Sequence, residues 1–322
     1  MPASLDPETL SQDLIYQFAG PVEWSRARRG PCFAARMSGL FISQDDGKTW
    51  QSAYRSLNLS QALPTLAVAV APGAGRGLVV FAGYNGGVLR SPDSGETWEN
   101  VALREPAPAV VALAVSPNFR RDGRVLAGTL ADGIFYSADG GGHWQTGNLG
   151  LLDVNVLCLG ISPGFESDQT IFAGTQSGLF CSRNAGRAWR EVALPVDYDA
   201  VISLGLSPNF AHDSTLFAGT ETHGLLGSED GGRHWRRLGP TNLSNSIGQI
   251  VVGPEFSRRP QLLVLHDGGL SMSDDGGAAW RRWPAAAWND EAVSALLAPR
   301  SFGAGGPVLA GLESGRAVWV RG

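Results

Sequence analysis

The sequence is poor in the features that would open several functional classes. Lys48 is its single lysine among 25 basic residues, and the net charge is −5, so no broad basic field exists to attract nucleic acid. Cys32, Cys158 and Cys181 are odd in number and lack CxxC spacing, which argues against a disulfide framework or a zinc site and for buried, reduced thiols. No apolar run approaches the ~18 residues that span a bilayer, so no membrane insertion is expected. The opening Met1-Pro2-Ala3-Ser4-Leu5-Asp6-Pro7-Glu8 carries acids where a signal peptide carries basic residues, and the expectation is a cytoplasmic chain. No P-loop, dinucleotide fingerprint or nucleophile elbow is expected, and no cofactor.

Glycine and proline are abundant instead. Forty-three Gly and 19 Pro recur in short clusters between apolar runs, as many short strands joined by tight turns require. Within this pattern an octapeptide appears six times, beginning Ser43-Gln-Asp45-Asp-Gly47-Lys-Thr-Trp50 and Ser91-Pro-Asp93-Ser-Gly95-Glu-Thr-Trp98. Further copies centre on Asp139 and Trp144, Asn184 and Trp189, Asp230 and Trp235, and Asp275 and Trp280, and the tryptophans recur every 45 to 48 residues. Each copy reads as a turn: the Asp can accept backbone N–H groups, the Gly takes a positive φ, and the Trp wedges against the neighbouring sheet.

Upstream of each octapeptide lie a small-residue strand such as Val111-Ala-Leu-Ala-Val115 and a second one such as Ile171-Phe-Ala-Gly174. Loops such as Ser116-Pro-Asn-Phe119 join the two. Each unit is thus four strands, and the expectation is an all-β, seven-bladed β-propeller of four-stranded antiparallel blades filling residues 1–322 as one domain, with 1–13 a flexible tail. The last unit runs out after Ala317-Val-Trp-Val320, and Leu14 to Phe18 is expected to supply its fourth strand and close the ring.

The octapeptide resembles the Asp-box, or bacterial neuraminidase repeat, over nearly the whole chain. That resemblance implies a peripheral, structural role for the boxes. Families sharing them include sialidases, xyloglucan-specific glycoside hydrolases, sorting-receptor ectodomains and photosystem II stability and assembly factors, so the repeat transfers no activity. A sialidase would need an arginine triad, the first member in a Phe-Arg-Ile-Pro-like segment. Arg26, Arg28, Arg29 and Arg36 lack that context.

In a propeller, the strand 2–3 hairpins and the blade-to-blade crossovers share the face opposite the boxes. Acids expected there are Asp132, Asp153, Asp197, Asp199 and Glu221, with Asp267, Asp290, Glu291 and Glu313, and no pair stands out for glycoside hydrolysis. Tyr54, Leu57, Leu149 to Leu152, Tyr198, Trp283 and Trp288 would form an apolar rim. The expected contact residues are His223, His266, Asp267, Trp283 and Trp288, with no metal site. The functional expectation is a non-catalytic scaffold that binds a protein partner. The alternative is a carbohydrate-active enzyme or sugar binder.

Overall fold

The computed structural model describes residues 13–20, 30–73, 75, 77–283, 291–298 and 306–321. Among these residues seven antiparallel sheets form a seven-bladed β-propeller, six blades having four strands and the last having three. Blade 3 is typical: Ala109–Val115, Val125–Leu130, Gly133–Ser137 and Gln145–Thr146 follow one another from the axis outward. Among the described residues the helices α1 (Phe119–Asp122), α2 (Phe165–Asp168) and α3 (Phe210–Asp213) sit in strand 1–2 loops, and no helix is long and apolar enough to cross a membrane.

The ring does not close as the sequence led us to expect. Ile15–Ala19 is the innermost strand of blade 1, paired with Cys32–Arg36, and not the outermost of blade 7. Its apolar residues require that place, because Ile15 and Phe18 are buried with Cys32 and Ala34 of their own blade and with Ala295 and Leu309 of blade 7. An outermost strand is largely exposed, as Gln145–Thr146 shows. Of the expected tail, residues 1–12 lie outside the described residues, and Asp13 is buried.

The recurring Ala-Gly of the second strand has a steric cause. A Cβ on Gly174 would lie 2.4 Å from the Val201 carbonyl oxygen of blade 5, a separation that real Cβ atoms do not tolerate. Glycine therefore lets consecutive blades approach closely at the axis.

Inner strands also carry a bulge, for example between Ile15 and Gln17 and between Val201 and Ser203. The residue after it can reach the next blade. Gln17 Oε1 accepts the Val68 N–H at 3.0 Å and Ser203 donates to the Ile247 carbonyl at 2.6 Å; Gln249, at the start of a strand without a bulge, bridges both Leu296 N and O. Polar side chains thus satisfy inner-strand groups that have no strand partner on the axis side.

The six octapeptides share one geometry. The serine hydroxyl donates to the acid two residues on and accepts the glycine N–H, as in Ser137 with Asp139 (2.7 Å) and Gly141 (2.9 Å). Asn184 substitutes without change, its Oδ1 taking the Ser182 hydroxyl and the Ala188 N–H, each at 2.9 Å. The tryptophans are less buried than expected: Trp98 and Trp189 are buried, whereas Trp50, Trp144, Trp235 and Trp280 are half-buried. The Gly140 N–H of the blade 3 turn bonds the Gly123 carbonyl in that blade's strand 1–2 loop, so these loops and the octapeptide turns share one face.

Candidate functional site

The opposite face is built from hairpins and crossovers, and its carboxylates have specific structural partners. Asp199 lies two residues before the inner strand Val201–Leu206. Its carboxylate accepts the N–H groups of Thr222 (3.2 Å) and His223 (3.0 Å) in the hairpin of the same blade. The Asp199 side chain is only 2% exposed, and His223 Nδ1 lies 2.8 Å from its Oδ2. Burial alone would raise the Asp199 carboxyl, but hydrogen bonds from His223, Thr220 and Thr222 outweigh it and hold the group below its ordinary value.

The arrangement recurs. Asp13 Oδ1 accepts Ser38 N–H at 2.9 Å, Asp153 Oδ2 accepts Ser177 N–H at 2.8 Å, and Glu291 Oε1 accepts Ser314 N–H at 2.7 Å. In blades 1, 4, 5 and 7 an acid just ahead of the inner strand therefore staples the strand 2–3 hairpin to it. Blade 3 uses an ion pair instead, Arg104 to Asp132 at 2.5 Å. Sequence reasoning placed three of these acids on this face but missed their function and overlooked Asp13. The available signal was an acid two residues before the start of the inner strand, as in Asp13-Leu14-Ile15, Asp199-Ala200-Val201 and Glu291-Ala292-Val293.

The five expected contact residues divide. His223 is held by Asp199. His266 is half-buried: its Nδ1 accepts the Ser244 N–H at 3.4 Å, and its Nε2 faces Ser271 Oγ at 2.8 Å. Burial lowers its pKa and Arg282 adds to this, while Asp267 opposes them. Asp267 is exposed at the hairpin tip with φ 47°. The two histidines thus bond to different elements of blades 5 and 6, and among the described residues no group of three or more His, Cys, Asp or Glu could hold a metal.

Trp283 requires correction as a surface contact. It is 2% exposed and packs with Leu265, Leu270 and Met272 of blade 6 and with Val293 and Val308 of blade 7. Its N–H bonds the Leu270 carbonyl at 2.8 Å, keeping its backbone on the blade so that the indole fills the seam. Tyr54 is likewise buried, its hydroxyl 2.8 Å from Thr65 Oγ1. Trp288 and Asp290 lie outside the described residues. Tyr198 (92% exposed), Leu152 (78%) and Leu149 (73%) remain as apolar side chains presented to solvent on the crossovers. Asp197, Glu221 and Glu313 are exposed acids of the same face.

One sequence pattern was overlooked and has a structural explanation. Gly160-Ile161-Ser162-Pro163-Gly164 spells G-x-S-x-G, but Ser162 is fully buried on the octapeptide face and donates to Asp168 Oδ2 at 2.5 Å. Ser116 with Asp122 and Ser207 with Asp213 repeat that bond at 2.6 Å, so this serine belongs to the strand 1–2 loop and not to a nucleophile elbow. The three thiols are unpaired, and burial raises Cys32 and Cys158 to about 12 and Cys181 to about 11, where none is an effective nucleophile.

No protein-family model matches the chain, and no curated protein matches it. Solved structures share the fold. An ancestral GH74 enzyme is 18% identical with a TM-score of 0.74 over 96% of this chain and 45% of its own. The GH74 xyloglucanase from Xanthomonas campestris is 18% identical, TM-score 0.69, over 93% of this chain and 51% of its own. YCF48 bound to a D1 peptide is 16% identical, TM-score 0.67, over 96% of this chain and 93% of its own. The chain therefore spans about half of the GH74 enzymes and nearly all of YCF48. At these identities the likeness defines a seven-bladed propeller and nothing finer.

Proposed function

We propose that the chain is a non-catalytic propeller that binds a protein partner through its hairpin-and-crossover face. The observation that carries this reading is the division of labour on that face. Asp13, Asp153, Asp199 and Glu291 hold hairpin N–H groups, whereas Tyr198, Leu149 and Leu152 stand exposed in crossovers. Exposed aromatic and aliphatic side chains without a folding role suit an interface. The match over 93% of the length of YCF48, solved with a bound peptide, supports the same reading. We also assign the six turns, five with an acid and one with Asn184 between serine and tryptophan, to the Asp-box type, on their shared hydrogen bonds.

The second reading, carbohydrate binding or cleavage, draws on the two GH74 structures and on the exposed acids Asp197, Glu221 and Glu313. One experiment separates the two. Proteins captured by the chain are compared with those captured by a Tyr198→Ala, Leu152→Ser variant, and both chains are screened against xyloglucan and other glycans. Partner capture that depends on Tyr198 and Leu152 is expected. Hydrolysis of any glycan by the wild type would overturn the non-catalytic reading.

A further inference from the structure

Four of the six seams that meet an octapeptide turn repeat one detail, which the other two lack. The fourth residue of each octapeptide turn, among them Gly140, Ala185, Gly231 and Gly276, is left-handed, with φ between 62° and 77°. At three seams an arginine of the preceding blade donates to that residue's carbonyl. Arg90 reaches Gly140 at 2.7 Å, Arg124 reaches Ala185 at 2.8 Å, and Arg183 reaches Gly231 at 3.2 Å. Between blades 7 and 1 the Trp319 indole N–H takes the same place on Asp46 at 2.7 Å. Between blades 1 and 2 buried Ile42, at the register of Arg90, fills the seam with Leu78 and Trp98.

The seam between blades 5 and 6 has neither a donor nor a plug. The three arginines come from three registers: the residue before the octapeptide serine, the residue after it, and the residue preceding the serine's strand-two partner. In blade 5 these are Gly227, Glu229 and Thr215. All three line a cavity of about 400 Å³, which reaches Asp275 and Gly276 of the next octapeptide turn. No described residue donates to the Gly276 carbonyl.

The walls suit a planar cation. Asp213, Glu229 and Asp275 line the cavity against one arginine, Arg236, which pairs with Glu229 at 3.1 Å. Phe256 packs edge-on against Phe217 at 5.5 Å, and both line the cavity, so an aromatic wall is present as well. A guanidinium offers several N–H donors in one plane, enough to meet the Gly276 carbonyl and a carboxylate together.

We propose that the seam between blades 5 and 6 binds a guanidinium group supplied from outside the chain, in the place that Arg90, Arg124 and Arg183 fill at the sister seams. Its source is either a free small guanidine or an arginine side chain of a peptide. The site lies on the face opposite the partner surface proposed above and does not depend on it.

The test is titration of the full ¹⁵N-labelled chain with N-acetyl-arginine amide, with an arginine-centred pentapeptide and with N-acetyl-lysine amide, following the Gly227 and Gly276 amides. Saturable shifts with both arginine probes are expected, and the lysine probe should bind at least about tenfold more weakly. Pentapeptide affinity about tenfold above the amide would identify a peptide as the source, and equal affinities a free guanidine. Glu229→Arg restores the register of Arg183 at an exposed position and should weaken binding by about tenfold or more. Gly227→Arg restores that of Arg90; its Cβ would meet Leu238 Cδ1 at 2.8 Å and Phe217 Cδ1 at 3.4 Å, so the buried Leu238 side chain must shift, and the folded variant should show the same weakening. The assignment is overturned by the absence of saturable shifts in the wild type, by equal binding of lysine, or by undiminished binding in both variants.

Discussion

The Asp199 carboxylate and the His223 imidazole lie 2.8 Å apart, and the same carboxylate also takes the backbone N–H of His223 at 3.0 Å. Asp199 therefore fixes both the ring and the chain that carries it, so the pair belongs first to the hairpin's structure. Removing a buried, charged acceptor leaves the Thr222 N–H without a partner and the His223 N–H with Thr220 Oγ1 alone. Asp199→Ala should cost about 2–3 kcal/mol, and Asp199→Asn less, because one oxygen survives. Urea unfolding measures both, and an unchanged midpoint in Asp199→Ala would refute the staple.

His266 should give the fold a pH dependence near neutrality. Its Nδ1 accepts the Ser244 N–H, so the ring must be neutral there and donate from Nε2 to Ser271. Burial, reinforced by Arg282 and opposed by Asp267, lowers its pKa below the ordinary 6.5. The unfolded chain then binds more protons than the folded one between the lowered value and 6.5, and stability rises with pH across that window. It is complete above 6.5 and declines as the pH falls below it. Melting temperatures of wild type and His266→Gln from pH 5 to 8 check this, the variant losing that slope.

The octapeptide acids act lower on the scale. Hydrogen bonds from Thr49 hold Asp45 at about 2, and those from His143 and Ser137 hold Asp139 lower still, against an ordinary 3.8. A depressed carboxyl contributes stability above its unfolded value and loses it as the pH falls through the folded one. Asp139→Asn should keep the neutral-pH fold, since Asn184 already makes the equivalent bonds, and should flatten the acid limb of the stability curve. Unfolding of Asp139→Asn at pH 7 would contradict this.

How much of this was legible depended on whether both partners of an interaction have side chains. The octapeptide turns could be read because serine, acid, glycine and tryptophan all appear as letters at fixed spacing. The hairpin staples could be read only by half: the acid ahead of the inner strand is a letter, but Asp199 and Glu291 bind backbone N–H groups of Thr222 and Ser314, which leave no mark in the sequence. Trp283 was misplaced for a related reason: its neighbours Val293 and Val308 belong to blade 7, and only the folded ring brings them together. Closure by Leu14 to Phe18 failed because an apolar stretch suits the innermost strand as well as any other, and burial on both faces decided the place.

The close approach of blades at the axis can be tested with one methyl group. On Gly174 it would meet the Val201 carbonyl oxygen at 2.4 Å and the Cys158 sulfur at 2.5 Å, neither of which can move without shifting an inner strand. Gly174→Ala should therefore cost about 1–3 kcal/mol. Gly248→Ala is the control, because the nearest atom to its methyl is the Leu265 carbonyl oxygen at 3.9 Å. Equal stability of the two variants would refute a steric requirement for the Ala-Gly repeat.

Ring closure supplies the last test, because blade 7 meets blade 1 through side chains and not through a shared sheet. Trp319, on the outermost described strand of blade 7, donates its indole N–H to the Asp46 carbonyl at 2.7 Å and packs, as Trp50 does, against the cluster of Ile15, Phe18 and Leu309. Its two contributions separate by substitution. Trp319→Phe keeps most of the apolar contact and removes the hydrogen bond, a loss of about 1 kcal/mol. Trp319→Ala removes both, and for a partly buried indole the cost should approach about 3 kcal/mol, the lower end of the range for core aromatics. If this contact holds the ends of the ring together, hydrogen exchange in Trp319→Ala should accelerate first in Ile15–Ala19 and Val293–Leu297, the inner strands on either side of the junction. Exchange that accelerates evenly over all seven blades would mean that the ring unfolds as one unit, with no weak point where its ends meet.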